Sequence, residues 1–239
     1  MKRVFAMATA WWWGTLAERD RLAGNYPEAG RRLRRALAIL RHAGHADGVL
    51  AMSLWNSLGV LCKSEGRFSA GARAYREALR IASRDLRAND PKFASLYHNL
   101  AGLEHARENY DTAEPLARHG ISIRERALGS NHSDVARDLS AFAAILDGLG
   151  RHGEAEVMHR RALAIFERGG RRERREVAYA LANLAACLHL QGRRDEAVDA
   201  AQRAVAMQRS VMGAHHPDVR LSEANLAIVE RGAAGSSAR

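Results

Sequence analysis

The chain repeats one pattern of residues every 42 positions, through five full periods and half of a sixth. One column of the aligned periods is apolar: Leu16, Leu58, Leu100, Phe142, Leu184 and Leu226. The column beside it holds small residues: Ala17, Gly59, Ala101, Ala143, Ala185 and Ala227. Because a single repeat of this kind cannot bury its apolar face alone, the period predicts a stacked array rather than a globular domain.

Each period divides into two helices and a turn. In the first half of the second period, the apolar residues have the spacing of one helix face: Leu54, Trp55, Leu58 and Leu61. The second half shows the same spacing, with arginine and glutamate on the opposite side: Ala72, Tyr75, Ala78, Leu79 and Ala82. A column of turn residues separates the halves: Gly24, Gly66, Glu108, Gly150 and Gly192. Since glycine takes the left-handed conformation that ends a helix, we predict a helix hairpin as the repeating unit.

Two sets of residues resemble the signature of the tetratricopeptide repeat. They are Trp55, Leu58, Gly59, Gly71, Tyr75 and Ala78, and, one period earlier, Trp13, Leu16, Ala17, Ala29, Leu33 and Ala36. The usual period of that family is about 34 residues, and the excess here falls in the second helix and the loop after it. The loops over residues 128–136 and 212–219 resemble those of the kinesin light chain type of this repeat. The resemblance covers roughly residues 11–230.

This resemblance and the period together imply an all-α fold. We expect a right-handed α-solenoid of about five helix hairpins followed by a C-terminal capping helix. Residues 1–10 would extend the first helix, and residues 11–231 would form the array. We place the repeats near residues 11–50, 51–94, 95–136, 137–178 and 179–220, with a half repeat over 221–231. The small and polar residues 232–239 are predicted to be a disordered tail.

The formal net charge is +10, and it is carried almost entirely by arginine. A basic surface is one mark of nucleic-acid binding, so a helical repeat that binds nucleic acid is an alternative function. However, the arginines recur mainly on second helices among glutamates, and no aromatic residues that could stack on bases lie between them. Solvated outer helix faces are the favoured interpretation of the charge.

Nothing in the sequence indicates an enzyme or a cofactor. The segment Gly148 to Gly153 fits the dinucleotide-binding spacing, but that motif must follow a strand, and here it falls on a hairpin turn. His42 with His45, and His215 with His216, lack the further ligands of a metal site. We therefore predict a non-catalytic scaffold for protein–protein interaction, with no cofactor and no metal.

The resemblance implies that an extended peptide binds in a concave groove lined by the first helices. Two register positions supply the candidate groove residues: Arg21, Lys63, His105, Asp147 and His189 in one column, and Asn99, Asn183 and Asn225 in the other. In the kinesin light chain type, asparagines at such positions hold a peptide backbone, because an amide donates and accepts at once. The alternative is that these asparagines only bond the adjacent helix. The basic members of the first column favour an acidic peptide or a C-terminal carboxylate as the ligand.

The chain ends suggest a second surface. Trp11 and Trp12 lie on the first helix with no preceding repeat to cover them, so they could form a homodimer interface or be covered by Val4, Phe5 and Met7. No segment approaches the roughly 20 apolar residues of a membrane span. The two cysteines fall three repeats apart, which predicts free thiols in the cytoplasm. Secretion is the alternative, because the basic and apolar start of the chain resembles a short signal peptide.

Overall fold

The computed structural model describes residues 2–87 and 90–234, and side chains over residues 4–87 and 90–231. These residues form eleven α-helices, one 3-10 helix over Gly170–Glu173 and no strand. The helices are α1 (Lys2–Leu22), α2 (Tyr26–His42), α3 (Val49–Ser64), α4 (Phe68–Asp85), α5 (Pro91–Ala106), α6 (Tyr110–Leu128), α7 (Ser133–Gly148), α8 (His152–Arg168), α9 (Arg174–Leu190), α10 (Arg194–Met212) and α11 (Pro217–Ala234). The all-α prediction is confirmed, with five hairpins and a final unpaired helix.

A left-handed residue ends the first helix of every hairpin, as the turn column predicts. The φ angles are +77° at Gly24, +69° at Gly66, +61° at Glu108, +73° at Gly150 and +75° at Gly192. In each turn, this residue donates its N–H to the carbonyl three positions back, and the next residue donates to the carbonyl five positions back, at 2.8–3.0 Å. This pair of bonds is the Schellman motif, which satisfies the last carbonyls of the helix and reverses the chain.

The helices form two compact units, which divide between Ile123 and Arg124 within α6. The core of the first unit is built from large aliphatic side chains that are almost fully buried: Leu33, Leu40, Leu61, Ile81 and Leu103. The second unit has an equivalent core: Leu139, Ile145, Leu146, Leu181 and Leu188. Each core lies between the first and second helices of its hairpins.

The packing of α3 against α4 depends on one glycine. A Cβ atom added at Gly59 would lie 2.5 Å from the ring of Tyr75, which is only 1% exposed. The tyrosine ring therefore fills the space that a side chain on α3 would need. Burial also raises the pKa of the Tyr75 hydroxyl.

The loops between hairpins start the next helix by different means. The side chain of Asp90 accepts a hydrogen bond from the Lys92 N–H at 2.8 Å, as an N-cap before Pro91 does. In the two later loops, a histidine caps the helix instead of an aspartate. The Nδ1 of His132 accepts the Asp134 N–H at 3.1 Å at the start of α7, and the Nδ1 of His216 accepts the Asp218 N–H at 3.2 Å at the start of α11. His216, which was considered with His215 as a possible metal pair, is thus a helix cap.

The chain ends differ in part from the expected boundaries. Helix α1 runs without a break from Lys2, so residues 2–10 belong to the same helix as the tryptophans. At the other end, α11 continues through Ala234, three residues into the segment predicted to be disordered. Residues 235–239 of that segment lie outside the described residues.

We predict that Gly59→Ala destabilises the protein by about 1–3 kcal/mol, because the new methyl group and the Tyr75 ring cannot share the same space. Urea unfolding would measure the change. The matched control is Gly153→Ala on α8, where an added Cβ meets no atom within 4 Å, and where alanine should be neutral or stabilising. Adding Tyr75→Leu to the first variant should recover part of the loss. Equal stability of the two single variants would contradict this account of the packing.

Candidate functional site

The column of predicted groove residues has a fixed place in the hairpin. Its members, Arg21, Lys63, His105, Asp147 and His189, each supply the carbonyl that accepts the N–H of the left-handed turn residue, at 2.9–3.0 Å. Their backbones are therefore held by the turn. Their side chains leave the last turn of each first helix at the same register, so the chemistry at this position differs from hairpin to hairpin.

Lys63 and Asn99 line one pocket in the first unit. The pocket has a volume of about 330 Å³ and is formed by α3, α4 and α5. Its walls are Val60, Lys63, Ser64, Tyr75, His98, Asn99 and Gly102. Two residues that the register selects from separate repeats thus share one pocket.

The ammonium of Lys63 lies over Gly102 on α5, where a Cβ would come within 3.1 Å of its Nζ. The Lys63 residue as a whole is exposed, but the protein atoms around its ammonium remove part of the hydration of the charged form and so lower the pKa of Lys63. No hydrogen bond or ion pair to this ammonium is present within residues 2–87 and 90–234. A partly desolvated cation with no counter-ion favours an anionic ligand.

Asn99 is partly buried and already has one helix-to-helix contact. Its Nδ2 donates to the Oδ1 of Asn56 on α3 at 2.8 Å. Asn99 therefore does bond the adjacent helix, which was the alternative interpretation of the asparagine column. An amide has two donor hydrogens and one acceptor oxygen, so this bond leaves part of the Asn99 capacity for a ligand in the pocket.

The other two candidates of the first unit have contacts within the protein. Arg21 donates through Nε and Nη2 to both carboxylate oxygens of Glu18, at 2.9 and 2.6 Å, which raises the pKa of Arg21. The ring of His105 makes an edge contact with Tyr110, with centroids 5.5 Å apart. The free positive charge of this column in the first unit is therefore on Lys63.

Asp147 is directed into the second unit rather than toward a ligand. Its Oδ1 lies 2.9 Å from His152 Nδ1, and its Oδ2 lies 3.4 Å from His159 Nε2. His159 is 2% exposed, so this carboxylate is the polar partner of a fully buried ring. Burial alone would raise the pKa of Asp147, but hydrogen bonds from His159 and His152 hold it below its usual value.

His189 and Asn225 meet in a second pocket, between α9, α10 and α11. It has a volume of about 280 Å³ and is lined mostly by alanine and by Leu190, Ile228 and Val229. The Nδ1 of His189 is buried and has no hydrogen-bond partner among the described residues. Asn183, the remaining asparagine of the column, is exposed on α9 outside this pocket.

An apolar face runs along the exposed side of α1. Trp11 and Trp12 are 61% and 57% exposed, and Phe5 is 76% exposed. With Val4 and Ala8 they lie within about half of the helix circumference, since each residue turns roughly 100°. The straight helix leaves the tryptophans uncovered by the residues before them, so the covered arrangement predicted as an alternative does not occur.

The structure gives positions to the enzyme-like patterns and the cysteines of the sequence. Gly150 is the left-handed turn residue of its hairpin, so the segment from Gly148 to Gly153 is not a phosphate-binding loop. Cys62 and Cys187 are buried free thiols, and burial raises the pKa of Cys187 to about 12. In the described part of the chain, no three His, Cys, Asp or Glu residues form a group that could hold a metal ion. Over the same residues, no helix is long and apolar enough to cross a membrane.

Several arginines pair with an acidic side chain one turn away on the same helix. Typical pairs are Arg31 with Glu28, Arg118 with Glu114 and Arg160 with Glu156. Such pairs support the interpretation of the net charge as solvated helix faces.

Five walls of the Lys63 pocket were not predicted from the sequence: Val60, Ser64, Tyr75, His98 and Gly102. One signal was available for His98, because the register one position before the asparagine column is polar in three successive repeats, at Asn56, His98 and Ser140. Gly102 stands beside the small column, which indicates extra space on α5. Tyr75 looks like a core residue by its spacing, and it is one, with its ring edge at the pocket.

Comparison with known proteins identifies the repeat. The sequence profile described as the tetratricopeptide repeat matches residues 92–168 and 176–238. No curated protein sequence matches the chain.

Solved structures share the fold at low sequence identity. The crystal structure of BtubC (BKLC) from P. vanneervenii is 24% identical and has a TM-score of 0.77, over 90% of this chain and 85% of that one. A putative kinesin light chain of Podosopora anserina, with nearly identical repeats, is 20% identical, with a TM-score of 0.71 over 84% of this chain and 95% of that one. A Rap protein in complex with competence and sporulation factor is 15% identical, with a TM-score of 0.70 over 84% of this chain and 54% of that one.

We predict that Asp147→Ala destabilises the protein by about 1–3 kcal/mol at neutral pH, because it leaves the buried His159 without its partner. The pKa of Asp147 is lowered in the folded protein, so its contribution is present above the ordinary pKa of 3.8 and is lost as the pH falls through the lowered value. Unfolding experiments near pH 7 and pH 3 should therefore show a smaller difference from wild type at the lower pH. The control is Asp199→Ala on α10, whose carboxylate is 70% exposed. A deficit that does not change with pH would contradict the role of the carboxylate.

Proposed function

Because the chain belongs to the tetratricopeptide repeat family, we propose that it is a non-catalytic scaffold that binds a partner polypeptide through its first helices. Scaffolds of this family typically serve protein–protein interaction, and no enzymatic family is indicated. We propose further that an extended peptide ends in the Lys63 pocket with an acidic side chain or its C-terminal carboxylate.

The observation that carries this proposal is the ammonium of Lys63. It is a cation whose pKa is lowered by burial and for which no counter-ion is present in the described residues. A carboxylate in the pocket would supply the missing charge, and hydrogen bonds to charged groups are worth about 1.5–3 kcal/mol. Asn99 would hold the adjoining peptide backbone with the bonds that Asn56 leaves free.

A second, less polar subsite is proposed in the other unit. The pocket of His189 and Asn225 offers mostly apolar walls and two polar groups, which suits an apolar peptide side chain next to a backbone amide. The Rap protein among the structural neighbours was solved in complex with competence and sporulation factor, which supports binding by a fold of this kind. Free and buried Cys62 and Cys187 support a cytoplasmic location.

We predict that Lys63→Glu weakens binding of a peptide with a free C-terminus by about tenfold or more, since attraction becomes repulsion. The peptide would be selected from a random library with free C-termini, and fluorescence anisotropy would measure its affinity. Asn99→Ala with Asn183→Ala should weaken it as well. Binding should also weaken as the pH rises through the lowered pKa of Lys63, because the neutral amine cannot pair with a carboxylate.

The matched control is Lys92→Glu, which makes the same change at an exposed position near the start of α5. It should bind the peptide like the wild type. Unchanged affinity of Lys63→Glu would refute the carboxylate pocket. Binding of single-stranded nucleic acid that falls steeply with salt concentration would favour the alternative function instead.

The aromatic face of α1 supports a second interaction, a homodimer. Residues 4–17 contain no charged side chain, so two copies of this face meet without repulsion. Large aromatic side chains bury about 150–250 Å² each when fully covered. The exposed parts of Phe5, Trp11 and Trp12 thus amount to roughly 400 Å² per copy. With Val4 and Ala8, a symmetric pair comes close to the ~1,000 Å² of a specific interface.

We predict a dimer at high micromolar concentration that becomes a monomer on Trp11→Glu with Trp12→Glu. Light scattering coupled to size-exclusion chromatography would measure the mass. The control is Val157→Glu, at an apolar residue that is 59% exposed on α8, in the other unit. A wild-type protein that stays monomeric at every concentration would rule out the dimer.

A further inference from the structure

The largest of the pockets described in the first unit lies away from the Lys63 pocket. It has a volume of about 500 Å³ and is formed by α2, the loop after α2, α3 and α4. Four apolar residues form one part of its wall: Leu37, Ala38, Trp55 and Leu58. Charged residues form most of the rest: Arg34, Arg41, Asp47, Glu77 and Arg80. None of these side chains belongs to the proposed peptide contacts, although α3 and α4 contribute to both pockets.

The two acids of this pocket are already paired. Arg80 donates to Asp47 and, at 2.7 Å, to Glu77, and Arg84 donates to Asp47 at 3.1 Å. The guanidinium of Arg80 holds the pKa of Asp47 below its usual value. Asp47 therefore stays ionised and offsets positive charge of α4 at this edge, where Glu77 also pairs with Arg80.

The positive charge that remains comes from α2. Arg34 and Arg41 are exposed, and no acidic partner for either is found within residues 2–87 and 90–234. With Leu37 and Ala38 they follow the i, i+3, i+4, i+7 spacing, so both side chains leave the same face of α2, and the guanidinium of Arg34 lies over Gly30. The pocket thus has two unpaired cations beside apolar side chains.

The apolar wall is part of the core surface. Leu37, Trp55 and Leu58 are partly buried and pack against the core of the first unit, with the rest of each side chain open to the pocket. A rigid apolar wall next to fixed polar groups is the usual composition of a small-ligand site, and its volume falls within the ~300–1,000 Å³ of such sites.

We propose that this pocket binds an organic carboxylate that carries an apolar group. The apolar group lies on Trp55, Leu37 and Leu58, and the carboxylate accepts hydrogen bonds from Arg34 and Arg41. A guanidinium suits this role because its planar N–H groups match the two oxygens of a carboxylate. Such a ligand is either a free aliphatic acid or the C-terminal residue of a polypeptide. The site goes beyond the proposed scaffold function because its charged residues lie on α2, α4 and the loop after α2, and because it shares no lining residue with the Lys63 pocket.

Isothermal titration calorimetry of the full chain with two pairs of probes tests the site. The first pair is octanoate and octanamide, which differ only in the charged group. The second pair is a tripeptide that ends in leucine, with a free and with an amidated C-terminus. We expect the charged member of at least one pair to bind at least tenfold more tightly than its amide. Preference for octanoate assigns a free acid, and preference for the tripeptide assigns a polypeptide C-terminus.

Variants locate the binding. Arg34→Gln with Arg41→Gln should lower the affinity of the preferred probe at least tenfold. The matched control, Arg73→Gln with Arg171→Gln, removes the same charge at exposed positions outside the pocket and should keep the wild-type affinity. Thermal unfolding by circular dichroism verifies that all variants are folded.

The result also separates this site from the peptide pocket. Lys63→Glu should leave binding of the preferred probe unchanged, because Lys63 does not line this pocket. Equal affinity of each acid and its amide, or wild-type affinity of the Arg34 and Arg41 double variant, would overturn the proposal. Loss of binding in Lys63→Glu alone would assign the carboxylate to the other pocket and overturn it as well.

Discussion

The left-handed residue after each first helix is the constraint on which the rest of the structure depends. Its conformation directs two backbone N–H groups back to the carbonyls of the helix end, and the chain leaves in the opposite direction. Without that reversal, the apolar faces of the two helices could not meet, and no core would form between them. Glu108 shows how strong the requirement is, because this turn keeps the left-handed geometry without glycine.

The space available where two helices cross is the second constraint. The residue of the small column and the residue 16 positions later, on the second helix, fill this space together. In the second hairpin, the small column holds glycine, and a tyrosine stands 16 residues later. In the fourth hairpin, the same two positions hold Ala143 and His159, and the buried imidazole then needs the carboxylate of Asp147. The choice of a polar ring in one core thus explains why one predicted groove residue is turned inward.

Much of the fold could be predicted from the sequence because its rules are local. Helix spacing, turn glycines and Asp90 before Pro91 act within a few residues, and the 42-residue register repeats them. The caps at His132 and His216 were not predicted, since a histidine accepts a backbone hydrogen bond only in one tautomer.

The register predicted two of the residues that line the site, but not which of the candidate side chains already have a partner within the protein. The register selects Lys63 in the last turn of α3 and Asn99 in the middle of α5, and the two residues do share a pocket. Whether a side chain is free depends on distances between side chains that the register does not contain. Glu18 pairs with Arg21, and Asn56 pairs with Asn99, because their side chains adopt rotamers that bring the polar groups together. The pocket on α2 and α4 was missed because its walls resemble a core face and a solvated face when each helix is considered alone.

The backbone carbonyl that accepts the N–H of the left-handed turn residue affects how such a chain can evolve. At this register, the folding requirement falls on a backbone atom that every amino acid has. The side chain is then less constrained, and the five hairpins carry arginine, lysine, histidine, aspartate and histidine there. Apart from Asp147, which pairs with the buried His159, this side chain can change from hairpin to hairpin while the same scaffold is inherited.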